Sequence, residues 1–147
     1  MTQTTSWTDH AHSILKDHGF TRGGAREAVI EFLAGQHCAT TAQEIHDALR
    51  DQGRAVGIAS VYRSLEALHS LALVQRFDAG NGEGRYEAVA PTGEHHHHVV
   101  CDDCDRIMPF EDPALERAIH KLAERVPYAI EGHDVVLHGR CPDCQQN

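Results

Sequence analysis

Four adjacent imidazoles run into a pair of thiols, His95-His96-His97-His98-Val99-Val100-Cys101-Asp102-Asp103-Cys104, and Cys141-Pro142-Asp143-Cys144 answers them near the end of the chain. Two C-x-x-C knuckles supply four thiolates, the donor set of a closed tetrahedral zinc site with no coordination position left for water. Imidazoles, of borderline softness, suit an exchangeable zinc, iron or nickel ion. The pattern predicts one metal built into the fold through Cys101, Cys104, Cys141 and Cys144, and a second that comes and goes. Structural thiols or a redox pair are the alternative for the cysteines. Cys38, unpaired in this pattern, reads as a small apolar residue, with metal ligation as its alternative.

If residues 95–98 are extended, side chains alternate faces, so His95 and His97 point one way and His96 and His98 the other. One run can then feed two metal sites. A solvated polar strand is the competing reading, but four imidazoles beside a zinc knuckle are costly to bury without ligands.

These donors need elements to hold them. Val29, Ile30 and Leu33 form an apolar stripe after Gly23-Gly24, and Thr41-Ala42-Gln43-Glu44 is a capping box that opens a helix through about Arg50. A third helix places Val61, Leu65 and Leu68 at i, i+4 and i+7, leaving Ser60, Tyr62, Arg63 and Ser64 on or near the opposite side. From Leu73 the pattern turns to two short strands, 73–77 and 85–89, around a Gly-rich turn. Three helices and a hairpin make the winged variant of the helix-turn-helix, whose last helix enters the DNA major groove. Residues 90–94 read as a hinge. Beyond it, 96–100, 107–110 and 133–138 read as strands and 112–126 as a helix with Leu115, Ala118, Ile119, Leu122 and Val126 inward. The expected class is α+β: a winged-helix domain over 1–90 and a small α/β dimerisation domain over 91–147. So small a module buries little core alone, so a stapling metal and a partner subunit are both expected.

The chain has 147 residues and a formal net charge of −9. Phosphate binding rests on Lys and Arg, so that charge at first argues against nucleic acid. It is unevenly spread: residues 1–76 carry 7 Lys+Arg against 8 Asp+Glu, whereas residues 77–147 carry 6 against 14. The first half can present a local basic face, and the second is acidic, as suits a metal-collecting module. No apolar run approaches the ~20 residues of a membrane span. Nor is a secretory signal visible at the N-terminus, so a cytoplasmic, reducing location is expected, where C-x-x-C pairs are metal ligands before they are disulfides.

Several motifs together resemble the ferric uptake regulator family of metal-dependent bacterial repressors: Gly57-Ile58-Ala59-Ser60-Val61-Tyr62-Arg63-Ser64-Leu65, Arg85-Tyr86-Glu87, the histidine run with Cys101 and Cys104, Glu116, His133, and the closing Cys141 and Cys144. The resemblance implies a winged-helix DNA-binding domain, an α/β dimerisation domain, a structural zinc and one or two regulatory metal sites. It assigns Glu87, His96 and His98 to a regulatory site at the domain junction. His95, His97, Glu116 and His133 fall to a second site in the dimerisation domain. His37 is the N-terminal candidate for the junction site, with Gln75 or Asp78 as alternatives. Two positions depart from the family pattern: Pro109 replaces an acidic residue, and Asp105 replaces the glycine after the first Cys pair. Without that carboxylate a four-coordinate site is expected, which tilts the regulatory ion towards zinc over iron. Ala42-Gln43-Glu44-Ile45-His46-Asp47 is also similar to zinc uptake regulators, whereas Glu87 resembles iron and peroxide sensors.

The implied function is a homodimeric repressor binding double-stranded DNA at a palindromic operator, with no membrane partner and no catalytic residues. Tyr62 and Arg63 are the expected DNA contacts, supported by Ser60, Ser64, Arg22, Arg26 and Arg54. The rival classes are a zinc enzyme and a metal store. A zinc deaminase would need an H-x-E and a P-C-x-x-C, and Pro142 lies inside the Cys pair instead. A metal store leaves the winged half unexplained.

Overall fold

The computed structural model describes residues 6–36, 38–80 and 82–146. The chain divides into two compact units, Met1–His95 and His96–Asn147, so the turn at 90–94 travels with the first.

Among its described residues the first unit holds four helices, not three: α1 (Trp7–Asp17), α2 (Gly24–Ala34), α3 (Ala42–Asp51) and α4 (Ile58–Ser70). The additional helix starts on Ser6, whose hydroxyl accepts the Asp9 N–H, and buries Ala11 and Leu15. Trp7 ties it to the residue that leads into the strand starting at Val74, donating its indole N–H to Leu73 O at 3.0 Å. Helix α3 opens on Thr41 with both bonds of the capping box present. The strands are β1 (Thr40–Thr41), β2 (Val74–Asp78) and β3 (Gly84–Ala88), and they form an antiparallel sheet in the order β1-β3-β2. Val29, Ile30, Leu33, Ile45, Leu49, Val61, Leu65 and Leu68 meet in one core. Helix and wing architecture place α4 with Tyr62 and Arg63 outward.

The second unit is a three-stranded sheet, β4 (His97–Cys101), β5 (Ile107–Phe110) and β6 (Val136–Gly139), in the order β5-β4-β6, with α5 (Pro113–Arg125) between β5 and β6 and a short α6 (Pro142–Gln145) at the end. Strand β4 is antiparallel to β5 and parallel to β6. Two expectations are corrected here. The last strand begins at Val136, because residues 133–135 approach β4 through His97 and His98 before the ladder starts. The α5 stripe is only partly covered: Leu115, Ile119 and Val126 are half-buried, whereas Ala118 and Leu122 are exposed. Its amphipathic pattern is sound, but one chain alone does not cover that face. No described helix is long and apolar enough to cross a membrane.

Candidate metal centres and nucleic-acid face

The two knuckles meet because β4 and β6 run parallel with Cys101 opposite Gly139. That register carries Cys141 to the end of β4, where its backbone N–H donates to Cys101 Sγ at 3.3 Å. The ligand atoms of Cys101, Cys104, Cys141 and Cys144 lie within 4.8 Å of one another. Cys104 and Cys141 have their sulfurs 3.7 Å apart. A tetrahedron with metal–sulfur bonds of ~2.3 Å has edges of ~3.8 Å, so the spacing fits a tetrathiolate zinc and is far too long for a disulfide of ~2.05 Å. The Cys141 N–H, with help from those of Cys104 and Asp103, lowers the Cys101 thiol to about 6. Hydrogen bonding to the sulfurs of Cys141 and Cys101 pushes Cys144 up to about 12. Four thiols this close cannot all ionise unless a cation joins them. The sequence reading missed a reciprocal pair of clasps: Arg106 reaches Asp143 at 2.9 Å and Arg140 reaches Asp103 at 2.7 Å, each arginine beside one knuckle and each aspartate inside the other. Asp105 takes a left-handed φ of 62°, the conformation that glycine adopts freely.

A second set of donors converges on the odd-numbered histidines. His95, His97, Glu116 and His133 place ligand atoms within 4.8 Å of one another. Asp112 caps α5 by accepting the Ala114 and Leu115 N–H groups, which sets Glu116 one turn into the helix. One oxygen of Glu116 pairs with His97 Nε2 and the other with His133 Nε2 at 2.9 Å. His97 is 1% exposed, and its Nδ1 accepts the Val135 N–H at 3.2 Å. Burial works against the Glu116 charge, but the His97 hydrogen bond and the His133 charge outweigh it and hold the carboxyl below its ordinary value. Three imidazoles and one carboxylate suit a four-coordinate zinc.

The even-numbered histidines stand apart from that set. His96 Nε2 pairs with Glu111 Oε1 at 3.0 Å, and His98 is buried in β4 opposite Pro109. Glu87, in the first unit, is buried on β3 and accepts from Gln75 Nε2 at 3.0 Å. His37 lies outside the described residues. Among the described residues, the converging donor groups are the four cysteines and the odd-numbered set. Glu111 escaped the sequence reading, although continuing the β4–β5 register by one step pairs it with His96.

On α4, Tyr62 is 46% exposed and Arg63 is exposed, its guanidinium donating to Ser60 Oγ at 3.0 Å. Ser64 departs from expectation: it is 5% exposed and donates to Ser60 O at 2.8 Å, so its hydroxyl is satisfied within its own helix and turned away from solvent. Position 64 lies one turn below Ser60, on the flank that packs with Val61 and Leu65. Arg22 donates to His12 Nδ1, Arg26 lies over the Phe20 ring, and Arg54 pairs with Glu31 at 2.6 Å.

Comparison with known proteins agrees with this architecture. Residues 17–138 match the sequence profile of the Ferric uptake regulator family. The chain is 31% identical over 134 residues to the Ferric uptake regulation protein of Neisseria meningitidis serogroup A, covering 89% of this chain and 90% of that one. To the Peroxide-responsive repressor PerR of Staphylococcus saprophyticus it is 28% identical, covering 89% and 86%. Among solved structures, the ferric uptake regulator of Helicobacter pylori, reported to reveal three functional metal-binding sites, is similar with a TM-score of 0.78 and 25% identity, covering 100% of this chain and 99% of that one. Winged unit, sheet-and-helix unit, paired Cys knuckles and matched length together place this chain in the ferric uptake regulator family of metal-responsive regulators.

Proposed function

We propose that this chain is a homodimeric, metal-activated repressor that senses zinc and binds a palindromic operator. The observation that carries the metal assignment is the convergence of His95, His97, Glu116 and His133 beside a separate tetrathiolate cluster. Members of the family are transcriptional regulators, which removes the zinc-enzyme reading. In this reading the four cysteines hold a structural zinc that closes the second unit. The odd-numbered set takes a second ion, and His96, His98 and Glu87 supply the regulatory ligands. The imidazole-rich donors support zinc.

An ion that binds the DNA-competent state more tightly than the other shifts the population towards it. Each tenfold gain in DNA affinity requires ~1.4 kcal/mol of coupling, and DNA must tighten metal binding by the same factor. Dimerisation is supported by the large apolar side chains left uncovered in the second unit, Leu122, Tyr128, Ile130 and Leu137. A two-fold dimer presents two α4 helices to two half-sites about one helical turn apart. Such a regulator works where the DNA is, in the cytoplasm.

An iron- or peroxide-sensing repressor is the second reading, favoured by the Glu87 carboxylate, a harder donor than the thiol a zinc sensor would use. Operator binding titrated against buffered zinc and buffered iron, with metal analysis of protein purified without added metal, separates the two. Zinc-dependent binding at lower free metal than iron supports the proposal. Iron-only activation overturns it.

A further inference from the structure

The β4–β5 ladder pairs His97 with Phe110 and His98 with Pro109. Continued one residue beyond the strand, this antiparallel register sets His96 opposite Glu111, and the two side chains meet there, His96 Nε2 to Glu111 Oε1 at 3.0 Å. Side chains on a strand alternate, so His96, His98, Pro109 and Glu111 share one face of the hairpin. His97 and Phe110 occupy the other, their rings 5.7 Å apart. The Pro109 side chain has no donor atom. The carboxylate that the even-numbered face lacks at 109 stands two residues further along the same face, at 111.

We infer that Glu111 is a further ligand of the metal bound by His96 and His98, an inference that rests on the reading of those two histidines as ligands. Nitrogen and carboxylate oxygen bind a transition metal at ~2.0–2.2 Å, which puts neighbouring donors on one ion ~3.0–3.4 Å apart. The 3.0 Å between His96 and Glu111 already meets that separation, so an ion can enter between them with small rotations of two side chains. His96 is partly exposed and Glu111 exposed, at 42% and 63% of the side chain, so water has access to the remaining coordination positions. An oxygen donor at an open site makes the donor set harder than Pro109 alone indicates. Five- or six-coordinate ions such as iron(II) or manganese(II) become compatible alongside zinc.

The test uses full-length protein already loaded with zinc at the cysteines, titrated with cobalt(II) as a coloured probe and then with zinc in competition. Glu111→Gln keeps the shape and removes the anionic donor. It should weaken one equivalent of cobalt at least tenfold and change its visible band, leave the other equivalent intact, and raise the metal concentration needed for operator binding. Glu111→Asp, a carboxylate on a shorter stem, should recover part of the affinity. Unchanged affinity and spectrum in Glu111→Gln would overturn the inference, and so would tighter binding, which would make Glu111 a plug over His96. His96→Ala separates the two levels: if it too leaves cobalt binding untouched, the histidine reading itself fails.

Discussion

The Val135 backbone N–H donates to Nδ1 of His97 at 3.2 Å, and that bond leaves the His97 proton on Nε2, facing Glu116. Ligation through Nε2 moves the proton to Nδ1, which then confronts another donor, and ligation through Nδ1 uses the lone pair that Val135 now occupies. Either way Val135 loses its acceptor. Filling the odd-numbered site should therefore shift the Val135 amide resonance and speed its hydrogen exchange, with little change in β5. A metal titration that leaves this amide untouched would place the ion elsewhere.

Glu116→Ala removes the acceptor shared by His97 and His133. Because His97 is almost fully buried, its stranded N–H should cost the metal-free protein ~1–3 kcal/mol, read as a lower denaturant midpoint. The same variant should lose one equivalent of metal while retaining the zinc of the cysteine cluster.

Zinc affinity of the cysteine cluster should rise with pH. Cys144, pushed up to about 12, is protonated at neutral pH and must release its proton when zinc binds. In the metal-free chain Cys101 contributes with the same sign, whereas the raised thiols of Cys144 and Cys104 oppose it as pH rises. The Cys101 thiol falls from 9.0 to about 6 on folding, so its stabilising contribution is complete above pH 9.0 and fades as pH falls through about 6. Competition with a chelator at several pH values, with proton release measured by a dye, reads the first effect. Cys101→Ser should release zinc and melt the second unit at lower temperature.

Arg63→Ala should weaken operator binding without altering metal content or dimerisation. If the guanidinium reads a base, the loss is ~1–3 kcal/mol with relaxed sequence preference at one position. A gel shift against operator variants measures both.

The odd and even histidines should divide into two classes. His96→Ala or His98→Ala, like Glu87→Ala, should abolish metal-dependent repression and spare the structural zinc. His95→Ala or His97→Ala should give a graded loss. Identical behaviour of all four in metal-dependent DNA binding would replace two sites by one.

Asp105 holds a left-handed backbone in the turn after the first knuckle. A β-branched side chain is disfavoured there, so Asp105→Val should destabilise by ~1–2 kcal/mol, whereas Asp105→Gly should be tolerated.

Much of this organisation was legible in the residues. Thr41 and Glu44 announce the start of α3 through local chemistry alone, and the spacing of Val61, Leu65 and Leu68 marks the inner stripe of α4. The alternation of His95 to His98 needs only strand geometry, and the structure gathers the odd pair with Glu116 and His133. Helix α1 was missed because its sequence, WTDHAHSILKD, buries just Ala11 and Leu15 and depends on Trp7 reaching Leu73, a contact no local pattern encodes. Ser64 misled for a related reason: a serine reads as polar, yet its hydroxyl is satisfied within its own helix. The α5 stripe is apolar as its spacing predicts, but only part of it is covered, since a pattern cannot say which molecule supplies the other face.

The parallel pairing of β4 with β6 has a consequence for how the second unit forms. Its register joins residues separated by the whole of β5, α5 and the intervening loops, a contact of high sequence separation whose loop entropy is lost before any pairing rewards it. The four sulfurs sit at the end of that pairing. An ion caught first by Cys101 and Cys104 would tether Cys141 and Cys144 when they diffuse past, turning the slowest encounter of the module into its earliest. An ion acting in this way would speed folding as well as stabilise the folded state, and the time a nascent chain spends with β4 paired only to β5 would then depend on how much free metal surrounds it.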